Sequence, residues 1–181
     1  QSAPPGEDTR PDATVAEPGP TLLHLLDVPI LSDRDDDAGF YGAATRTLPG
    51  WRGALLYRSA NGSDYGSLLT LPRSAAAGVA ETVLPAGPTA FFDRGNAVDV
   101  ALTDGALLSA PEADVLNGAN GALVGDEILQ WTTATLIGPK RYRLSGLLRG
   151  RLGTEHAVNT HGIGERDQRQ MPIAMRDVEI D

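Results

Sequence analysis

Three groups of residues have types and spacings that could do chemistry. The first is acidic: Asp33, Asp35 and Asp37 stand at the one, three, five spacing of a calcium loop, in which alternate carboxylates wrap a hard cation. The rest of such a loop is missing. Ala38 occupies the place of the sharp-turn glycine and Ala44 that of the bidentate glutamate. A solvated acidic turn is the plainer reading, and a weak ion site shared with a neighbouring loop is the alternative. The second group is basic: Lys140, Arg141, Arg143, Arg149 and Arg151. Residues two apart on a strand point the same way, so Arg141 and Arg143 share a face. Arg149 and Arg151 share one too if the strand continues past Gly150. Guanidinium forks suit bidentate carboxylate contacts at interfaces. The Asp33–Asp37 run is their natural partner, in the same chain or on a neighbouring subunit, and a solvated strand edge blunted by its charges is the alternative.

The third group is aromatic. Trp51, Trp131 and Tyr142, with Tyr41, Tyr57 and Tyr65, could present flat faces on which sugar rings stack, although most are also needed as core anchors.

Catalytic and metal chemistry find little. His156 and His161 are five apart in a glycine-containing loop, which is neither a helical His-x-x-x-His pair nor joined by cysteines that would converge three or four ligands, so they read as exposed loop histidines. His24 sits in a leucine run and reads as a hydrogen-bonded core histidine. Asp126 and Glu127 are adjacent, so on a strand they point to opposite faces and cannot flank one glycosidic bond. Glu127 more simply pairs across a hairpin with Arg141 or Arg143. No Gly-x-Ser-x-Gly or Ser-x-x-Lys arrangement occurs. The glycine pairs at Gly118–Gly121 and Gly162–Gly164 lack the strand-to-helix setting of a phosphate loop. Asn61-Gly-Ser63 is formally a glycosylation acceptor, but Asn-Gly already has a turn role there. The sequence therefore predicts no catalytic residue, no metal and no cofactor, and the chain reads as a non-enzyme.

The elements that position these residues are strands. Residues 121–153 read as two long strands joined by a turn at Ile137-Gly-Pro-Lys140, where glycine takes positive φ and proline presets its own. The second strand alternates, with Tyr142 and Leu144 set against Arg141, Arg143 and Ser145. The start of the first does not, which predicts that both its faces are covered. Trp51–Ser59 and Tyr65–Leu71 flank Asn61-Gly62, the strongest short hairpin signal. Ala97–Thr103 and Ala106–Ser109 flank Asp104-Gly105 in the same manner. Thr21–Leu31, Phe40–Thr45 and Gly78–Leu84 are further strands, and Pro111–Leu116 is a helical turn. The fold class that follows is all-β: an antiparallel β-barrel or β-sandwich built of hairpins, with an extended N-terminal arm.

The arm is residues 1–20, whose five prolines and scarcity of large apolar side chains cannot offset ordering entropy. A segment draped over a neighbour is the alternative. Residues 21–153 form the β-rich domain, and 154–181 a loop and C-terminal extension. The 181 residues carry 21 glycines, 13 prolines and no cysteine, which excludes disulfides and thiolate metal sites. A formal net charge of −9 opposes specific nucleic-acid binding and anionic lipid. No run approaches the ~20 apolar residues of a membrane span.

Two blocks carry a resemblance. ALVGDEILQWTTATLIGPKRYRLSGLLRGRLGTE (122–155), and LLHLLDVPILSDRDDDAGFYGAA (22–44) followed by WRGALLYRS (51–59), resemble the large tail-tip, or baseplate hub, proteins of siphophage-like tails and of the alphaproteobacterial gene transfer agents, the megatron family. The likeness ends after Glu155, where Asp167-Gln-Arg-Gln170 stands in place of another apolar strand, so the chain reads as a fragment or excised domain of such a protein. The resemblance implies a structural module at the tail tip of a virion or particle, assembled in the bacterial cytoplasm. Other baseplate proteins, or further copies in a ring, are its partners, and host attachment and DNA delivery its role. A carbohydrate-binding β-domain recognising a bacterial surface glycan is the alternative.

Overall fold

The computed structural model describes residues 16–31, 39–159, 161–163 and 174–175. It is built almost entirely of antiparallel strands, with one short helix. Two hairpins come first. Strand β1 (Thr21–Leu26) pairs with β2 (Tyr41–Arg46), and β3 (Ala54–Arg58) pairs with β4 (Gly66–Leu71) across the Asn61-Gly62 turn. A single larger sheet follows. Its strands are β5 (Ala77–Ala80), β6 (Asp93–Asp104), β7 (Gly121–Val124), β8 (Glu127–Gly138), β9 (Arg141–Leu148) and the two-residue β10 (Ala174–Met175). Their order is β10-β7-β8-β9-β6-β5, and β5 to β9 curl into a half-barrel. Helix α1 (Glu112–Leu116) covers the Pro111–Leu116 turn read from the sequence.

The core is one apolar side of this curved sheet. Strand β6 contributes Val98, Val100 and Leu102 at period two, and these meet Leu129 and Trp131 of β8, Leu144 and Leu147 of β9, and Leu84. Each such side chain removed from water contributes roughly 1.5–3 kcal/mol. The first half of β8 is buried at every residue from Glu127 to Trp131, whereas most residues from Thr133 to Ile137 are exposed. Missing alternation in the sequence thus marked a strand covered on both faces. Trp131 is 1% exposed and its indole Nε1 donates to Leu108 O at 3.0 Å.

Several strand readings are corrected, among them Thr21–Leu31, which ends at Leu26, and Trp51–Ser59, which is a strand only over Ala54–Arg58. Ala106–Ser109 is not a strand: the chain leaves β6 at Asp104, and β6 takes its partners from β5 and β9 instead of folding back on itself. Strand β6 also begins at Asp93, four residues earlier than expected. The run Gly78–Leu84 shrinks to Ala77–Ala80, after which Leu84 makes an isolated bridge with His161. Of the arm, residues 16–20 are described. They lie against the turn before β3, where the Thr47 hydroxyl donates to Pro20 O at 2.7 Å.

Candidate functional site

The basic cluster is the place to look for a site, and the structure divides it three ways. Strand β9 presents Arg141 and Arg143 on its outer face, as alternation requires. Among the described residues their partners are not Glu127, and the 33–37 acids lie outside those residues. The partners are the cross-strand neighbours of β6 and the residue just past β5. Arg143 sits opposite Asp99 in the register and donates to both its oxygens at 2.7 Å. Arg141 donates to Glu81 at 2.7 Å. Lys140 lies 3.7 Å from Asp104, which also receives Arg46 at 2.8 Å and the Ser74 hydroxyl at 2.7 Å. Hydrogen bonding from Arg143 holds the Asp99 carboxyl below its usual range, against the upward push of burial, and raises the guanidinium in turn. Burial pushes Asp104 up, but Ser74, Arg46 and the Gly105 N–H outweigh it and hold it low.

Arg149 goes elsewhere. Strand β9 ends at Leu148 and Gly150 turns left-handed at φ 59°, so Arg149 and Arg151 do not continue a common strand face. A side chain at Gly150 would meet Glu155 Cα at 2.8 Å, which adds a steric reason for glycine to the conformational one. Arg149 turns inward and is 0% exposed, as is Glu127 at the start of β8. Its Nε and Nη2 reach the two Glu127 oxygens at 2.6 and 2.8 Å. Nη1 donates to Pro85 O at 2.9 Å and lies 3.7 Å from Asp93. Arg151 instead donates to Gln130 Oε1 at 2.8 Å. Gln130 spends its amide nitrogen on Val115 O and Ala119 O, both at 2.7 Å, tying α1 to β8.

Two further donors complete Glu127. The Gly150 N–H reaches Oε1 at 3.0 Å and His161 Nε2 reaches Oε2 at 2.7 Å. A carboxylate only accepts, so Nε2 carries the proton of that bond. His161 is held there by reciprocal backbone bonds with Leu84, at 3.0 and 2.9 Å. It is therefore not the exposed loop histidine of the sequence reading, although His156 is exposed. Each Glu127 oxygen thus has two donors, which fills the four acceptor sites of a carboxylate. Burial pushes Glu127 up, and the hydrogen bonds from Arg149, His161 and Gly150, with the guanidinium charge, outweigh it and hold the carboxyl low. A carboxylate so filled has no lone pair to offer a substrate proton. What the geometry can do is clasp the start of β8, the end of β9, the loop before β6 and the segment at His161.

Sequence reading missed Asp93, Asp99, Asp104 and Glu81 as partners of the basic cluster. Only Asp93 left a signal: in Asp93-Arg-Gly-Asn96 its Oδ1 accepts from the Gly95 and Asn96 N–H groups at 3.1 and 3.0 Å, a turn such strings favour. His24 is half-buried and contacts the buried Thr45 hydroxyl at 3.3 Å, as a hydrogen-bonded histidine should. Burial lowers its pKa. Among the aromatic candidates, Trp131 is in the core and offers no face to a sugar. Trp51 and Tyr142 are half-buried, and the Trp51 indole donates to Thr21 Oγ1 at 2.8 Å. Among the described residues no three His, Cys, Asp or Glu side chains converge as a metal site. A shallow concavity of about 490 Å³ lies along Pro88, Phe91 and Phe92 of the loop between β5 and β6 and Arg94 at the start of β6.

An antiparallel all-β domain closed around a buried carboxylate–guanidinium pair is the class these features define. Residues 75–167, just over half of the chain, match the family model described as Rcc01698-like, C-terminal, and the chain belongs to that family. The matched span runs from two residues before β5 to beyond His161, so it contains the whole clasp. No curated protein matches the chain.

Proposed function

We propose that this chain is a non-catalytic structural module of a phage-like tail tip or baseplate hub, located at the distal end of the particle and taking part in host attachment and DNA delivery. The observation that carries the reading is family membership over 75–167: the family's namesake is a gene transfer agent protein of Rhodobacter capsulatus. The clasp supports a structural role, because its carboxylate is fully engaged in holding strands together. Exposed Leu25, Leu55, Tyr57 and Leu68 on the first two hairpins supply apolar surface of the kind that neighbouring subunits cover. The partners in this reading are other baseplate proteins or further copies in a ring. Gold-labelled electron microscopy of purified particles, with an antibody to the 117–153 segment, tests it. Label at the distal tail tip is the expected result, and particles free of this chain would overturn it.

A second reading, glycan recognition, rests on two of the six aromatics the sequence offers as sugar-stacking faces. Tyr57 on β3 and Tyr65 in the loop joining β3 to β4 are 52% and 64% exposed. Binding of surface polysaccharide that is lost in Tyr57→Ala and Tyr65→Ala would favour this reading.

A further inference from the structure

The sequence holds three Asn-Gly pairs: Asn61-Gly62, Asn117-Gly118 and Asn120-Gly121. Such pairs are open to one spontaneous reaction. The following N–H loses its proton to hydroxide, and its nitrogen attacks the asparagine Cγ. A C–N bond forms, the bond to Nδ2 breaks and ammonia leaves, giving a cyclic imide. Water then opens the ring at either carbonyl, leaving aspartate or isoaspartate. Glycine permits the approach because it has no Cβ. The fold decides which pair can react.

At Asn117 the nucleophile is engaged: the Gly118 N–H donates to Val115 O at 3.0 Å in the turn that ends α1. At Asn120 the leaving group is engaged, because Nδ2 donates to Leu108 O and Trp131 O, both at 3.0 Å. Gly121 there opens strand β7 and is paired with Gln130. Asn61 differs in its nucleophile, and its own Nδ2 is held, among the described residues, only by the exposed Asp64 carboxylate. Asn61 is exposed at the hairpin tip, and the Gly62 N–H makes no hydrogen bond among the described residues. Nothing lies within 4 Å of where a Gly62 Cβ would stand, so the approach is open. The Asn61 carbonyl is also polarised. Its Oδ1 accepts from the Ser59 hydroxyl at 3.0 Å and from the Ser63 and Asp64 N–H groups, both at 2.9 Å. Donors in that position stabilise the oxyanion that forms when Cγ is attacked.

We propose that Asn61 is a self-modification site, at which the folded chain converts to aspartate or isoaspartate while Asn117 and Asn120 are preserved. The product changes the turn. Asn61 Nδ2 now donates to Asp64 Oδ2 at 2.6 Å, and after conversion aspartate brings two carboxylates together there. Isoaspartate in addition lengthens the backbone of the turn. The reaction therefore acts as a slow charge switch on the loop joining β3 and β4.

Peptide mass spectrometry after incubation of the intact chain at mildly alkaline pH tests this, with the same incubation in concentrated urea as reference. The expected result is a gain of one mass unit at Asn61 roughly tenfold or more faster than at Asn117 or Asn120, about 1.4 kcal/mol in barrier, with the three rates converging in urea. Ser59→Ala, which removes one donor to Oδ1, should slow the conversion several-fold in the folded chain and leave the rate in urea unchanged. Conversion at Asn117 or Asn120 that keeps pace with Asn61 in the folded chain would overturn the proposal. So would an Asn61 that stays intact while it converts in urea.

Discussion

Replacing Arg149 with methionine removes the guanidinium and keeps most of the side-chain volume. It deletes two donors to Glu127 and one to Pro85 O, and leaves a fully buried carboxylate with only His161 and the Gly150 N–H. Breaking a buried pair from one side costs about 3–5 kcal/mol. That is a large share of the ~5–15 kcal/mol that holds a domain together, and corresponds to a drop of roughly 6–20 °C in Tm for a chain of this size. The pH dependence identifies the cause. In the native chain the Glu127 pKa is lowered on folding, so its contribution is complete above the unfolded value of ~4.3 and is lost as pH falls through the lower folded value. Without Arg149, burial dominates and raises the carboxyl, so acidification neutralises it and the deficit of the variant shrinks. Urea unfolding at several pH values, followed by circular dichroism, should show the largest difference near neutrality and a smaller one toward pH 5. The double variant Glu127→Leu/Arg149→Met should recover much of the loss, because a buried pair can often be replaced by packed apolar groups. A single-variant cost below ~1 kcal/mol, unchanged with pH, would refute the reasoning.

Arg143→Ala, which breaks the exposed bidentate contact with Asp99, should destabilise far less than Arg149→Met, by an amount that shrinks in high salt when followed by the same unfolding assay. Gly150→Ala should cost at least ~1–2 kcal/mol for the left-handed backbone and more for the contact with Glu155. In Gly153→Ala, where no atom lies within 4 Å, the backbone cost should stand alone. Trp131→Ala should lose about 3–5 kcal/mol, and in the native chain acrylamide should quench Trp51 but hardly touch Trp131. His24, whose pKa burial lowers, should titrate by NMR below the ordinary ~6.5. Stability should fall as pH drops through that range, because the unfolded chain binds the proton first, and His24→Asn should remove that slope.

Local signals were the legible ones. The β8–β9 hairpin followed from alternation in 141–148 and from Gly138-Pro-Lys140, the β3–β4 hairpin from Asn61-Gly62, and α1 from a short apolar turn. Asp104-Gly105 carried an equally good hairpin string and made none. The long strand β6 is claimed on one side by β9 and on the other by β5, and no local pattern announces such partners. The clasp was hidden for a similar reason. Arg149 looked like one more surface arginine because its inward turn depends on Gly150, and its partners come from 22 and 64 residues away. Nothing in the spacing of Glu127 and His161, 34 residues apart, joins them.

The reach of Arg149 has a consequence for how the domain can be divided and assembled. The β8–β9 hairpin can form early, since its strands are adjacent in sequence. It cannot satisfy the guanidinium alone, because the third acceptor is Pro85 O, in the loop between β5 and β6. Complete satisfaction of Arg149 therefore requires that loop as well as the hairpin. A cut between β6 and β7 would separate the guanidinium from that acceptor. A piece that keeps the clasp complete therefore begins before Pro85, as the family match, which starts at residue 75, does.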